Sequence, residues 1–273
     1  KMMELIALTR DVSPSIERCQ LTYLPRQPID VEKAIEQHRA YERCLRQRGV
    51  RVVRLPSEPD CPDAVFVEDT AVVVDEIAIM ARMGSDRRQP EVRSVAAALR
   101  HYRPVTFLRA PARLDGGDVL RVGRTVYVGA SRRTNRAGIE ALEKLLDPYG
   151  YRLIPIEVTG CLHLKTACSF IGRQTFLVNR AWIETSALRD VDLIDVHPQE
   201  PWAANALLIG DVVLLPAAFR RTRRRLEARG FRVHPVDISE FQKAEGGLTC
   251  LSIIFEKGGS PVANRPSMDA TCS

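Results

Sequence analysis

The chain has 273 residues, 45% hydrophobic and 27% charged, with a net charge of +6 and a pI near 9.1; this is globular composition and excludes a disordered or fibrous chain. No apolar stretch approaches the roughly 20 residues needed to cross a bilayer, and the short run Leu5 to Leu8 lacks the pattern of a secretory signal. Seven cysteines without a Cys-x-x-Cys pair argue against a secreted disulfide scaffold, so a cytoplasmic protein with no membrane contact is expected.

A strand over Glu4 to Leu8 opens the chain. Asp11 to Asp30 has no clear periodicity and carries Pro14, Pro25 and Pro28; a loop of that length in a compact protein is commonly a lid. A helix over Val31 to Arg48 and a strand over Val50 to Leu55 follow. Phe66 to Val74 and Ile77 to Arg82 read as paired strands, then a helix over Glu91 to Tyr102 and a strand over Val105 to Arg109. Asp118 to Gly129 reads strand, turn, strand, followed by a helix over Asn135 to Tyr149 that stops at Gly150, and a strand from Tyr151. Ala167 to Ile171 and Thr175 to Asn179 form another pair, with a helical stretch near Ser186 and a strand over Asp192 to Val196. Asn205 to Pro216 repeats the 118–129 pattern, with Gly210 standing where Gly123 stands. A helix over Arg220 to Arg229 then stops at Gly230, a common residue just past a helix end, and a strand starts at Phe231. Leu248 to Glu256 is the last strand, with no helix after it.

The unit is ββαβ. It occurs four times, and the two ends of the chain together supply a fifth. A hairpin plus a crossover in every unit suits radial closure, which leaves only short protected edges. The expected fold is an α/β five-bladed ββαβ propeller forming a single domain over 1–257, with 258–273 a disordered tail. The competing architecture is an α+β sandwich in two halves.

In a radial fold the unit starts meet at the axis, and unusual polar residues recur there: Asp63, Glu68 and Asp69, Asp115 and Asp118, His163, Asn205 and Cys250. Each has an ordinary reading. A cysteine in an apolar strand is usually core, a histidine between leucines is usually a satisfied rim residue, and Asp115-Gly116 is a turn signal. Yet Gly246-Gly247 allows backbone to approach a ligand beside Cys250. Carboxylates inside an apolar run need a cationic partner, and a planar guanidinium suits them because they grip it with two bonds. Cys250 is the candidate nucleophile, His163 the candidate acid and base, and Asp115 the carboxylate that fixes the imidazole.

Other signals are weaker. The arginine run from Arg220 to Arg225 reads as a solvated helix face, and without interleaved aromatics it does not indicate nucleic-acid binding. The paired glycines match no phosphate-binding loop. Cys161, Cys168 and His163 fit no standard zinc spacing.

Pro62 to Asp69, Leu114 to Asp118, Arg133-Thr134-Asn135, Leu162 to Thr166 and Gly246 to Ser252 resemble, in order along about residues 4–256, the dimethylarginine dimethylaminohydrolases. The resemblance implies the five-bladed propeller of the guanidine-modifying (pentein) superfamily, hydrolysis of a methylated arginine to citrulline and an alkylamine, and no metal or organic cofactor. It implies Cys250 as nucleophile, His163 as general acid and base, and Asp115 as the imidazole's support. Asp63, Glu68 and Asp69 would hold the amino and guanidinium ends of the substrate, Arg87 and Arg133 its carboxylate, and Leu21 would be a lid contact. Arg82 to Arg88 is one residue shorter than in many members and lacks their proline, which leaves Arg88 as the alternative to Arg87. Two other functions stay open, an arginine deiminase and a non-catalytic arginine-binding protein. Oligomeric state is also open, a homodimer included.

Overall fold

The computed structural model describes residues 4–258. Within that span fifteen strands form five three-stranded mixed sheets. In each, an antiparallel pair is extended by a parallel strand. Gly123 and Gly210, with φ of +59° and +60°, turn two of the hairpins in the left-handed region that glycine enters freely.

The first sheet joins β1 (Leu5–Arg10), β2 (Arg51–Leu55) and β15 (Ile253–Glu256) in the order β15-β1-β2. The second holds β3 (Ala71–Val73), β4 (Ala78–Met80) and β5 (Val105–Phe107), and the third β6 (Val119–Val122), β7 (Thr125–Ala130) and β8 (Arg152–Glu157). The fourth holds β9 (Cys168–Phe170), β10 (Thr175–Val178) and β11 (Asp192–Asp195), and the fifth β12 (Leu207–Ile209), β13 (Val212–Pro216) and β14 (Arg232–Val236). Contacts of β15 with β3, β6 with β9 and β9 with β12 bring first strands together. They line an axial channel of about 650 Å³. Leu5 pairs with Glu256 and Leu8 with Ile253, so both ends of the described chain complete one sheet as expected.

Helices cross between the second and third strands of four sheets: α1 (Val31–Arg46), α2 (Val92–Leu99), α3 (Arg136–Leu146) and, after the short α4 (Leu164–Ala167), α5 (Arg220–Ala228). A further short helix, α6 (Ser239–Lys243), leads into the last blade. Asp30 caps α1 by accepting from the Lys33 amide at 3.0 Å. The helix buries Ala34, His38, Tyr41 and Leu45, spaced to share one face. Tyr41 then reaches Ser252 at 2.7 Å, tying α1 to the segment after Cys250. In α2 the buried stripe is Val92, Val95, Ala96 and Leu99, packed on the β3–β5 sheet.

Three expectations need correction. Phe66 to Val74 is not all strand: Val67–Thr70 is a 3-10 turn, and β3 begins at Ala71. Leu248 to Glu256 likewise starts with a 3-10 turn, Thr249–Leu251. Both turns carry polar groups that an extended segment between two apolar neighbours would leave unpaired. The stretch near Ser186 is only a 3-10 turn, Thr185–Ala187, because Ile183 is held extended by its bridge to Val158. The expected tail, apart from Gly258, lies outside the described residues. Among the described residues no helix is long and apolar enough to cross a membrane.

Candidate active site

The polar residues flagged at unit starts sit in the turns just before the first strands, at one end of the channel. Glu68 and Asp69 lie on the turn before β3, Asp115 at the start of a turn before β6, His163 at the N-terminus of α4 before β9, and Cys250 on the turn before β15.

His163 is 4% exposed, and its Nε2 lies 2.9 Å from Asp115 Oδ2. Asp115 is wholly buried, and its Oδ1 accepts from the Gly84 amide at 2.7 Å. Asp118 sets the imidazole indirectly: its Oδ1 accepts from the Leu164 amide at 2.8 Å, at the start of α4. The other ring nitrogen lies 3.8 Å from Asp69 Oδ1. Burial by itself would lower the His163 pKa, but Asp69, Asp115 and Asp118 together raise it to about 9. A Cβ on Gly117 would stand 2.7 Å from His163 Nδ1 and 2.6 Å from Asp69 Oδ1, so only glycine lets the backbone come this near.

Burial would raise Asp69, yet the charges of His163 and Arg88 hold it at about 2. Its Oδ2 accepts from Arg88 Nη1 at 2.6 Å and its Oδ1 from the Gly117 amide at 3.0 Å. Glu68 is raised by burial, with Lys165 opposing. It accepts from Lys165 Nζ and from Thr249 Oγ1, each at 2.8 Å. Among the described residues Asp63, also raised by burial, accepts only the Gln20 amide, at 3.2 Å to each oxygen. Its remaining lone pairs are free to take a cation.

Cys250 is partly exposed, and its Sγ accepts from the Gly247 amide at 3.3 Å. Burial first, then the negative charges of Glu68 and Asp69, push the thiol up to about 12. The thiol and the imidazole are not hydrogen-bonded to each other; the acidic turn at 68–69 bears on both. At neutral pH Cys250 therefore rests as a thiol and His163 as an imidazolium, and a bound cation would shift the thiol toward thiolate. Asp69, Asp115 and His163 also offer three ligand-type atoms within 4.8 Å of one another, though these atoms already bond to each other, Arg88 and backbone amides.

Of the two arginines left as alternatives, Arg88 is 4% exposed and spends its guanidinium on Asp69, Glu91 and the carbonyls of Asp63 and Phe66. Arg87 is exposed. Arg133 is mostly buried, 3.5 Å from Asp115, and its Nη1 has no hydrogen-bond partner. Leu21 packs with Cys250 on the cluster containing Phe66 and Phe241. The loop around it is pinned at several points, among them Tyr23 Oη donating to the Cys161 carbonyl at 3.1 Å. Gln20 donates to Asp63, and the amides of Thr22, Tyr23 and Leu24 all converge on Glu245 Oε1 at 2.9, 2.5 and 2.7 Å.

Sequence reading missed Lys165, Thr249 and Glu245. Lys165 was legible as a charge two residues after His163 in an apolar segment, and Glu245 as an acid directly before the paired glycines. Nothing in the sequence pairs either with a partner in another blade.

The family model described as "N,N dimethylarginine dimethylhydrolase, eukaryotic" matches residues 24–255. A Streptomyces coelicolor N(G),N(G)-dimethylarginine dimethylaminohydrolase is 36% identical over 248 residues, covering 90% of this chain and 95% of the relative. The Pseudomonas aeruginosa protein of the same description is 32% identical over 228 residues, 83% of this chain and 90% of its own length. The structure of a cysteine-to-serine mutant of the Pseudomonas aeruginosa enzyme complexed with citrulline superimposes with a TM-score of 0.87 at 30% identity, covering 93% of this chain and all of that one. With its five mixed sheets and its acid-ringed thiol, this chain belongs to the dimethylarginine dimethylaminohydrolase family.

Proposed function

We propose that the protein hydrolyses Nω-methylated arginine to citrulline and methylamine or dimethylamine, through a covalent intermediate on Cys250. The observation that carries this reading is the charge arrangement at the thiol. Burial, with the negative charges of Glu68 and Asp69, keeps the sulfur protonated until a cation arrives, and Asp63 is a further buried acid with lone pairs open to one. A guanidinium is such a cation, and its plane suits bidentate carboxylates.

The acids hold the guanidinium with Cζ over Sγ, which is catalysis by orientation. The substrate's charge lowers the thiol pKa, and the thiol proton leaves to water. The thiolate attacks Cζ, and the S–C bond forms. His163, protonated in the resting enzyme, gives its proton to the methylated nitrogen, so that the C–N bond breaks and the amine departs neutral. Neutral His163 then takes a proton from water, the hydroxide adds to Cζ, and the adduct collapses with cleavage of the C–S bond, its hydroxyl proton passing to the departing sulfur, so that neutral citrulline leaves and the resting thiol and imidazolium are restored. Asp115 keeps the imidazole oriented throughout. Arg133, whose Nη1 makes an ion pair with Asp115 at 3.5 Å but no hydrogen bond among the described residues, and the exposed Arg87 fit the substrate carboxylate, while Asp63 and the loop at Leu21 fit the amino end.

The test is a panel of arginine, monomethylarginine and dimethylarginine with citrulline detection, wild type beside Cys250→Ser. Citrulline from methylated arginine only in wild type supports the reading. Turnover of arginine alone would make the protein a deiminase. Binding without turnover in either form would make it a binding protein.

A further inference from the structure

A second cavity touches the nucleophile, and Asp63, Glu68 and Asp69 do not line it. It has a volume of about 170 Å³, and its walls include Cys250, Leu24, Trp202, Phe219, Ile238 and Glu245. A water molecule needs only about 10–15 Å³ of such space, whereas sites for drug-sized ligands run to roughly 300–1,000 Å³. The chamber therefore suits a group of a few heavy atoms.

Its chemistry is specific. Trp202 is pinned edge to face by Trp182, with ring centroids 4.7 Å apart, and Phe219 supplies a second aromatic side chain. Glu245 lines the same chamber. Its Oε1 is taken by the three loop amides, but its Oε2 is buried without a hydrogen-bond partner. Glu245 also holds a left-handed φ of +59°, a strain that glycine would avoid and that clusters at functional positions. Aromatic side chains and a carboxylate around a small chamber are the groups that recognise an alkylammonium ion.

We propose that this chamber is a binding site for a small methylated ammonium, the protonated form of the amine that the reaction releases; its physiological occupant thus rests on the function proposed above. The amine leaves Cζ neutral, carrying the proton from His163, and takes a second proton from bulk water, whose hydroxide the buffer absorbs. His163 is not among the chamber's walls, so the chamber receives the amine after proton transfer. Leu24 lies on the loop that Glu245 fastens, so that loop supplies one wall of the chamber.

The experiment uses the full-length Cys250→Ser protein, which cannot turn over, titrated with dimethylammonium chloride and followed by ligand-observed NMR, with potassium chloride as the ionic-strength control. Saturable binding is expected. Trp202→Ala should weaken it about thirtyfold, the size of a desolvated cation–π contact, and Glu245→Gln should weaken it too. Trp202→Phe keeps a ring and should retain most of the affinity, which separates loss of the site from misfolding. No saturable binding, or equal binding in the Trp202→Ala and Glu245→Gln proteins, would overturn the proposal. Amine binding in a protein whose wild type yields no citrulline would sink the functional reading and leave the site standing.

Discussion

The thiol's environment makes a quantitative prediction about its reactivity. At about pH 7.5 a thiol titrating near 12 is ionised in about one molecule in 30,000, against about one in ten for an ordinary thiol near 8.5. A thiolate of higher pKa is intrinsically more nucleophilic, with a Brønsted slope of roughly 0.45, which recovers about 1.6 of the 3.5 decades lost. Alkylation of Cys250 by iodoacetamide should therefore run about a hundredfold slower than that of a free cysteine, on electrostatic grounds alone. Steric shielding could also slow it, so the pH dependence is the sharper test. The logarithm of the rate, followed on the Cys250 peptide by mass spectrometry, should rise linearly with slope one from about pH 7 to 10 with no plateau. Glu68→Gln removes one of the two charges that hold the thiol protonated. Each tenfold gain in thiolate then nets about threefold in rate after the loss of nucleophilicity. A plateau in the wild-type curve below about pH 9.5 would refute the reasoning, as would a Glu68→Gln protein no faster than wild type.

His163 is raised to about 9 from an unfolded value near 6.5. Its protonated form should thus stabilise the fold fully below about pH 6.5 and cease to do so as pH climbs through about 9, a swing of up to about 3 kcal/mol; urea midpoints across that window should fall in wild type and stay flatter in His163→Asn. Gly117→Ala drives a methyl into Asp69 and His163, and a displacement of about 1 Å at such a centre costs on the order of a hundredfold; kcat should fall that far while circular dichroism still shows a folded protein. Arg88→Met strands the buried Asp69 and Glu91 carboxylates and should cost about 3–5 kcal/mol, read as a drop in Tm. Arg87→Ala should leave Tm alone and raise KM for the methylated substrate, and the reverse pattern would exchange the two arginines' roles.

The architecture was legible because each blade repeats one local grammar. Gly123 and Gly210 mark equivalent hairpins, and Gly150 and Gly230 mark equivalent helix ends. The site was legible because Asp63, Glu68, Asp69, Asp115, His163 and Cys250 are polar residues where the repeat calls for apolar ones. Secondary structure was misread at those same points. Phe66 to Thr70 is apolar and β-branched enough to look like strand, but Glu68 needs Lys165 and Thr249, and Asp69 needs Arg88 and Gly117, and only a tight turn presents them so. Arg88 could not be told from Arg87 because they are neighbours of one type, and only burial separates an internal cation from an exposed one. What Glu245 holds was not legible, because its partners are backbone amides some 220 positions away.

The pairing of β1 with β15 carries one more consequence. The amide of Lys257 donates to the carbonyl of Glu4 at 2.7 Å, so the first and last described strands meet side by side, and the closed ring has no privileged starting point. A short linker across that gap, with a break opened at the Gly123 or Gly210 hairpin, would preserve every sheet while changing which blade is synthesised first. The order of residues along the polypeptide is in that sense a historical choice, whereas the circular arrangement of blades is what gathers the buried acids, the imidazole and the thiol at one end of the channel.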